Sequence, residues 1–177
     1  AMTDRDLDML LSATEIATRV EEMAQALAPA IDDDWVFVVL LQGATLFGMD
    51  LLRALARQGR HPRTDYLWLS SYGDAQESSG RVQVRADLSA PIAGQGVLIV
   101  DDVFDTGRTL AFADDYVRAK GASTVKAVVL ARKPATVVAY QPDLIGIDLP
   151  NRFLIGYGMD DRGRGRGLPW IGAKKGS

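Results

Sequence analysis

The chain predicts an α/β fold, a mostly parallel sheet flanked by helices, and three observations carry that prediction. Apolar runs without polar alternation stand at Trp35–Leu41, Gly96–Val100 and Val125–Leu130, as in strands covered on both faces. The first two lead through short glycine-bearing turns into apolar residues at helical spacing, over Leu46–Arg57 and Ala111–Lys120. Gly121 then closes the second helix, as a C-terminal glycine does.

The remaining elements follow in order. From Asp4 to Ala30, Leu7, Leu10, Leu11, Ile16, Val20, Met23 and Leu27 recur near helical spacing. This predicts an N-terminal helical element, with a break and fresh start where Ser12 or Thr14 precedes Glu15. Pro29 and Asp32–Asp34 end it. His61, the one histidine, stands beside Pro62 in a polar connection and reads as a solvated residue. Asp65–Leu69 resumes a strand, a polar segment runs from Ser70 to about Gly80, and Arg81–Arg85 alternates as a half-exposed strand does. Asp87–Gln95 is a turn-rich lead into the central strand. The basic cluster Arg132-Lys133-Pro134 reads as surface, Val137–Tyr140 is too short to assign, and Lys174–Ser177 reads as a frayed tail.

Composition narrows the class. A chain of 177 residues, 47% hydrophobic and 24% charged, supports one globular domain over 1–177 with a sizeable core. A net charge of −3 argues against a general polyanion-binding surface, hence against nucleic acid, while leaving room for a local basic pocket. With no cysteine, disulfides and thiolate metal sites are excluded, and a reducing compartment is indicated. No apolar run approaches the length of a membrane span, and the acidic N-terminus is no secretory signal. Ala1 before Met2 reads as a cloning remnant. A cytoplasmic, membrane-free protein is expected.

The chemistry concentrates where the central strand ends. Val97–Val100 runs into Asp101 and Asp102, then Val103-Phe104, then Asp105-Thr106-Gly107-Arg108-Thr109 ahead of the helix. Unpaired N–H groups in a first helical turn bind phosphate, Gly107 lets the backbone approach closely, and the hydroxyls of Thr106 and Thr109 add donors. Two acids beside a phosphate site are explained if they face ribose hydroxyls or a hydrated divalent cation; magnesium takes a few carboxylates and keeps several waters. A single acid could simply cap the helix, but not the whole ordered set.

This stretch resembles the phosphoribosyl-pyrophosphate signature of the type I phosphoribosyltransferases, and the last third is similar to the hypoxanthine-guanine members. The resemblance covers about Asp4 to Gly172. It implies that fold, with a small hood over the base from about 1–30 and 140–177. It assigns the ribose hydroxyls to Asp101 and Asp102, and the 5-phosphate to Thr106, Gly107, Arg108 and Thr109. Asp105 becomes the catalytic group near purine N7. Gln42 and Gly43, in the turn Gln42-Gly43-Ala44-Thr45, correspond to a Leu-Lys-Gly turn that binds pyrophosphate and often carries a cis peptide. Arg166 also contacts pyrophosphate. In Arg152–Asp160, Phe153 would stack on the purine, Leu154 would read its edge through the backbone, and Asp160 would help bind base and metal. Ser71 and Tyr72 correspond to the pair of a mobile loop that closes over the site.

Two departures stand out, since family members carry a lysine at the positions of Gln42 and Gln141, the latter donating to the purine 6-oxo group. The implied activity is purine salvage: transfer of the 5-phosphoribosyl group from phosphoribosyl pyrophosphate to hypoxanthine or guanine. The products would be a purine nucleoside monophosphate and pyrophosphate. Mg2+ would be the cofactor, held by Asp101, Asp102 and Asp160, and a homodimer or homotetramer is implied. Xanthine or another base as acceptor, and a non-catalytic phosphoribosyl-sensing regulator, remain the alternatives.

Overall fold

The computed structural model describes residues 3–72, 81–135 and 137–177. In chain order its elements are β1 (Leu7–Leu11), α1 (Ala13–Leu27), β2 (Val36–Leu41), α2 (Thr45–Arg57), β3 (Arg63–Tyr72), β4 (Arg81–Ala86), β5 (Gly96–Phe104), α3 (Arg108–Ala119), β6 (Thr124–Arg132), β7 (Leu144–Asp148), β8 (Leu154–Ile155) and β9 (Ile171–Lys174). Six strands form one sheet in the order β4-β3-β2-β5-β6-β7. Its pairings are parallel except β3 with β4. The apolar runs thus become its centre, as their lack of alternation requires.

Each face of that sheet meets a different helical layer. Phe37, Val39, Leu98, Val100 and Leu130 point into the core shared with Ile16, Val20 and Met23 of α1 and Phe47, Leu51 and Leu55 of α2. The alternate residues Val36, Val38, Val97, Ile99 and Val129 pack with Leu110, Ala113 and Val117 of α3. Full burial of a side chain such as Phe47 contributes about 1.5–3 kcal/mol. This two-sided cover fixes the strand ends from which the loops at residues 42–44 and 105–107 emerge.

A second, three-stranded sheet has the order β1-β9-β8 and is antiparallel throughout. It is built from both ends of the chain. Of the segment 1–30 expected in the hood, β1 joins this sheet, while α1 lies on the larger one.

The N-terminus corrects the sequence reading. Leu7–Leu11 is a strand preceded by a 3-10 turn at Asp4–Asp6, and the helix begins only at Ala13. A five-residue apolar run suits either period, and pairing with β9 decides it. The helix start lies where a capping box puts it: the Glu15 N–H donates to Ser12 Oγ at 3.1 Å, and the Ser12 N–H donates to Glu15 Oε1 at 3.3 Å. The tail is also corrected. Lys174 belongs to β9, the Lys175 N–H donates to the Asp6 carbonyl at 3.0 Å, and the Phe153 N–H donates to Ser177 Oγ at 3.2 Å. Bonds formed across the sequence hold those residues, and no local pattern announces them. No helix among the described residues is long and apolar enough to cross a membrane.

Candidate active site

The loop after β5 is shaped to receive an anion. Gly107 is the N-cap of α3 with φ 84°, a left-handed conformation that glycine adopts without penalty. It is also packed: a Cβ there would stand 2.7 Å from the Phe104 ring and 3.0 Å from Tyr140 Cβ. The first-turn amides of α3 lie beside this loop, where the helix dipole adds to their attraction for negative charge. Asp105, Thr106 and Arg108 are exposed and Thr109 is half-buried, so the loop faces solvent with its polar groups.

Asp101 and Asp102 lie in β5 itself, since the strand continues through them to Phe104. Asp101 Oδ1 accepts the Asp102 N–H at 2.9 Å, and Asp102 Oδ1 accepts the Val103 N–H at 2.7 Å. Burial, and then the charge of Asp102, push the Asp101 carboxyl well above the usual carboxylate range. Two crowded hard oxygen donors suit a magnesium-type ion that completes its shell with water and ligand oxygens. No group of three or more metal-ligating side chains gathers among the described residues. Asp160 is engaged elsewhere, accepting the Gly163 N–H at 2.6 Å and facing Arg166 at 3.3 Å.

The turn after β2 closes against the acids. The Leu41–Gln42 peptide is cis, as the resemblance implied. Gly43 lies so close to the Asp102 carboxylate that a Cβ would stand 2.0 Å from Oδ2. Arg166 ties this turn to the C-terminal segment. Its guanidinium donates to Gln42 Oε1 at 3.1 Å and to the Gly158 carbonyl at 2.7 Å. A lysine at position 42 would bring a second cation toward Arg166; the glutamine oxygen accepts from it instead.

On the other side of the phosphate loop, a cleft of about 580 Å³ opens at the carboxyl ends of β5 and β6. Gln141 lines it together with Arg132, Lys133 and Phe104. Arg132 is held in a two-point fork by Asp148, with Nε to Oδ1 at 2.6 Å and a terminal nitrogen to Oδ2 at 3.1 Å. The cluster read as surface is therefore part of this cleft. The missed signal was positional: ligand sites in such sheets lie beyond the strands' carboxyl ends, and Arg132 ends a parallel strand.

The other expected base contacts stand apart from that cleft. Phe153 is 45% exposed and is absent from its lining; Lys174 Nζ lies 5.3 Å from the ring centroid. Leu154 is buried in β8, so a contact from it would come through backbone. Ser71 and Tyr72 close β3, paired with Val82 and Arg81 of β4, and the polar segment 73–80 lies outside the described residues.

Strand-end acids, a glycine-capped helix start and a stapled second turn gather at the carboxyl edge of the sheet and define an α/β protein whose candidate site lies there. Residues 6–162 match the phosphoribosyl transferase domain, and the chain belongs to that family. The hypoxanthine-guanine phosphoribosyltransferase of Aquifex aeolicus is 36% identical over 170 residues, covering 94% of each chain. That of Bacillus subtilis is 33% identical over 177 residues, covering 98% of this chain and 97% of the relative. The bifunctional protein TilS/HprT of Listeria innocua is 38% identical over 169 residues, and there the chain spans 26% of the relative's length. The hypoxanthine phosphoribosyltransferase of Staphylococcus aureus superposes with a TM-score of 0.88 at 30% identity, covering 97% of this chain and 93% of that one. A variant of the Trypanosoma cruzi enzyme, complexed with its product IMP, gives 0.88 at 29% identity, covering 99% and 95%.

Proposed function

We propose that this chain transfers the 5-phosphoribosyl group from phosphoribosyl pyrophosphate to hypoxanthine or guanine, releasing pyrophosphate and the purine nucleoside monophosphate. The observation that carries the reading is the convergence of three segments: the Asp101–Asp102 strand end, the Gly43 turn against Asp102, and Arg166 bonded to Gln42. The relatives of matching length are named for this activity, and one structural neighbour is described with IMP as its product.

The chain's own groups then divide the work. Thr106–Thr109 and the start of α3 grip the 5-phosphate, and the Asp101–Asp102 pair holds the ribose hydroxyls. As the anomeric bond breaks, positive charge grows on the sugar and negative charge on the leaving pyrophosphate. Arg166 and the turn at Gln42-Gly43 stabilise the latter. Asp105 stands on the loop between strand and helix, free to act beside purine N7 as base or electrostatic partner. A purine entering from the Gln141 side finds Lys133 along the same cleft, beside the Arg132–Asp148 pair, so the cation missing at position 141 has a replacement for the 6-oxo group. Phe153 and Leu154, which stand apart from that cleft, are left without a role on the base side in this reading. Mg2+, held through Asp101 and Asp102, would supply charge neutralisation for the departing pyrophosphate. We place the reaction in the cytoplasm, carried out by a homodimer or homotetramer.

The test is a panel of free bases incubated with phosphoribosyl pyrophosphate, with and without magnesium, following nucleotide and pyrophosphate together. Hypoxanthine or guanine should be consumed mole for mole with pyrophosphate release, and only with magnesium. Preference for xanthine would move the acceptor. Donor binding without turnover on any base would leave a phosphoribosyl sensor.

A further inference from the structure

The segment that carries Gln141 begins exposed. Val137 is 80% exposed and Val138 is 48% exposed. At one end the segment is anchored on β6: the Asp143 N–H donates to the Ala127 carbonyl at 2.9 Å, and Asp143 Oδ2 accepts the Ala127 N–H at 2.8 Å. At the other end it is fastened to the phosphate loop and to α3. The Ala139 N–H donates to the Thr106 carbonyl at 2.7 Å, and the Tyr140 hydroxyl donates to Asp114 Oδ2 at 2.6 Å. Tyr140 Cβ packs close to Gly107, 3.0 Å from where a Cβ there would stand. Asp114 is only 8% exposed and is also held by Arg118, so the acceptor is itself fixed.

We propose that Tyr140 and Asp114 are positioning residues: their hydrogen bond clasps the base-side segment onto the loop that grips the donor phosphate. Gln141 is then held between two anchors, and the base cleft keeps its shape only while it rides on the phosphate loop. The proposal rests on the function proposed above for its meaning, though not for its geometry. The phosphate loop and α3 have their own anchors in Leu110, Ala113 and Val117, which are fully buried. Before Gln141 the segment is exposed at Val137 and Val138, and its further anchors, buried Pro142 and the Asp143 bonds, lie beyond Gln141 on the β6 side. Loss of the clasp therefore falls on the base side. Burial, followed by the bond to Asp114, keeps the Tyr140 phenol far above its ordinary titration range, so it remains a donor at any working pH.

Three variants test this. Tyr140→Phe keeps the Cβ against Gly107 and removes the hydroxyl. Asp114→Leu removes the acceptor at similar volume, and Asp114→Asn keeps an acceptor oxygen. Hydrogen exchange on the ligand-free protein reads the clasp directly. The Ala139 amide should exchange at least ten-fold faster in Tyr140→Phe and Asp114→Leu, while peptides from α3 and β6 stay unchanged. In steady state the purine KM should rise at least five-fold in both, with kcat and the donor KM within two-fold of wild type. Asp114→Asn should stay within two-fold throughout. Unchanged exchange at Ala139 in Tyr140→Phe overturns the clasp, and so does a donor KM that rises in step with the purine KM. Wild-type protein that transfers to no base would sink the proposed function and leave the exchange result to decide the clasp alone.

Discussion

Replacing Gly43 by alanine is the sharpest way to ask whether the second turn and the acid pair form one site. The added Cβ would stand 2.0 Å from Asp102 Oδ2 and 2.9 Å from its Cγ, so the carboxylate must turn away. Turning it forfeits the 2.7 Å bond from the Val103 N–H. A hydrogen bond to a charged group contributes about 1.5–3 kcal/mol. An off-rotamer side chain adds about 0.5–1.5 kcal/mol. The loss should thus be about 2–4.5 kcal/mol, a melting temperature lower by roughly 4–18 °C for a domain of this size. The decisive measurement is a double-mutant cycle with Asp102→Ala, followed by thermal unfolding and by donor calorimetry. In the Asp102→Ala background the clash with Oδ2 and Cγ is gone, so the cost of the alanine should fall below about 0.5 kcal/mol. Donor affinity should drop with either substitution alone. Equal costs of Gly43→Ala in the two backgrounds would refute the reasoning, because the turn would then not be pressed against the acid.

Further outcomes follow from the same geometry. Asp105→Ala should keep the wild-type melting temperature while lowering kcat about 10²–10⁴-fold, the usual reach of a positioned acid or base. Thr109→Ala should instead raise the donor KM, and near-normal kinetics for both would remove the assignment of that loop. Arg166→Met should weaken pyrophosphate binding by at least ten-fold in calorimetry, because it also releases Gln42 and the Gly158 carbonyl. An unchanged affinity would take Arg166 out of the site. Tyr157 donates to Asp50 at 2.6 Å, and burial together with that bond raises its pKa far above the ordinary 10.0. The neutral phenol is the form the fold favours. Its contribution is complete below pH 10 and is lost as pH climbs through the raised folded value. Tyr157→Phe should therefore lower stability by about 1 kcal/mol at neutral pH and flatten the alkaline limb of the stability profile. An alkaline limb unchanged from wild type counts against it.

Much of this protein was legible because its informative stretches are local. The central strand, the acid pair and the run to Thr109 are contiguous, so periodicity and residue type specify strand, turn and helix start without knowledge of the partners. The Ser12–Glu15 capping box is equally local, and the helix begins where it says. What failed involved pairing across the whole chain. Leu7–Leu11 has no period that excludes a helix, and only β9 makes it a strand. Lys174 reads as tail until its neighbours in β1 and β8 are known. The Arg132-Lys133 cluster looks like surface until β6 carries it to the rim of the cleft.

The sequence by itself determined the layered α/β class, the strand-end acids and the glycine-capped loop before α3, because burial patterns and helix-start chemistry act between near neighbours. Only the tertiary structure decided which segments meet there. Arg166 reaches Gln42, Asp102 backs onto Gly43, and Tyr140 binds Asp114, each through contacts between residues far apart in the chain. Such contacts leave no periodic trace, since what selects them is the shape of two packed layers and the demand that buried polar groups find partners.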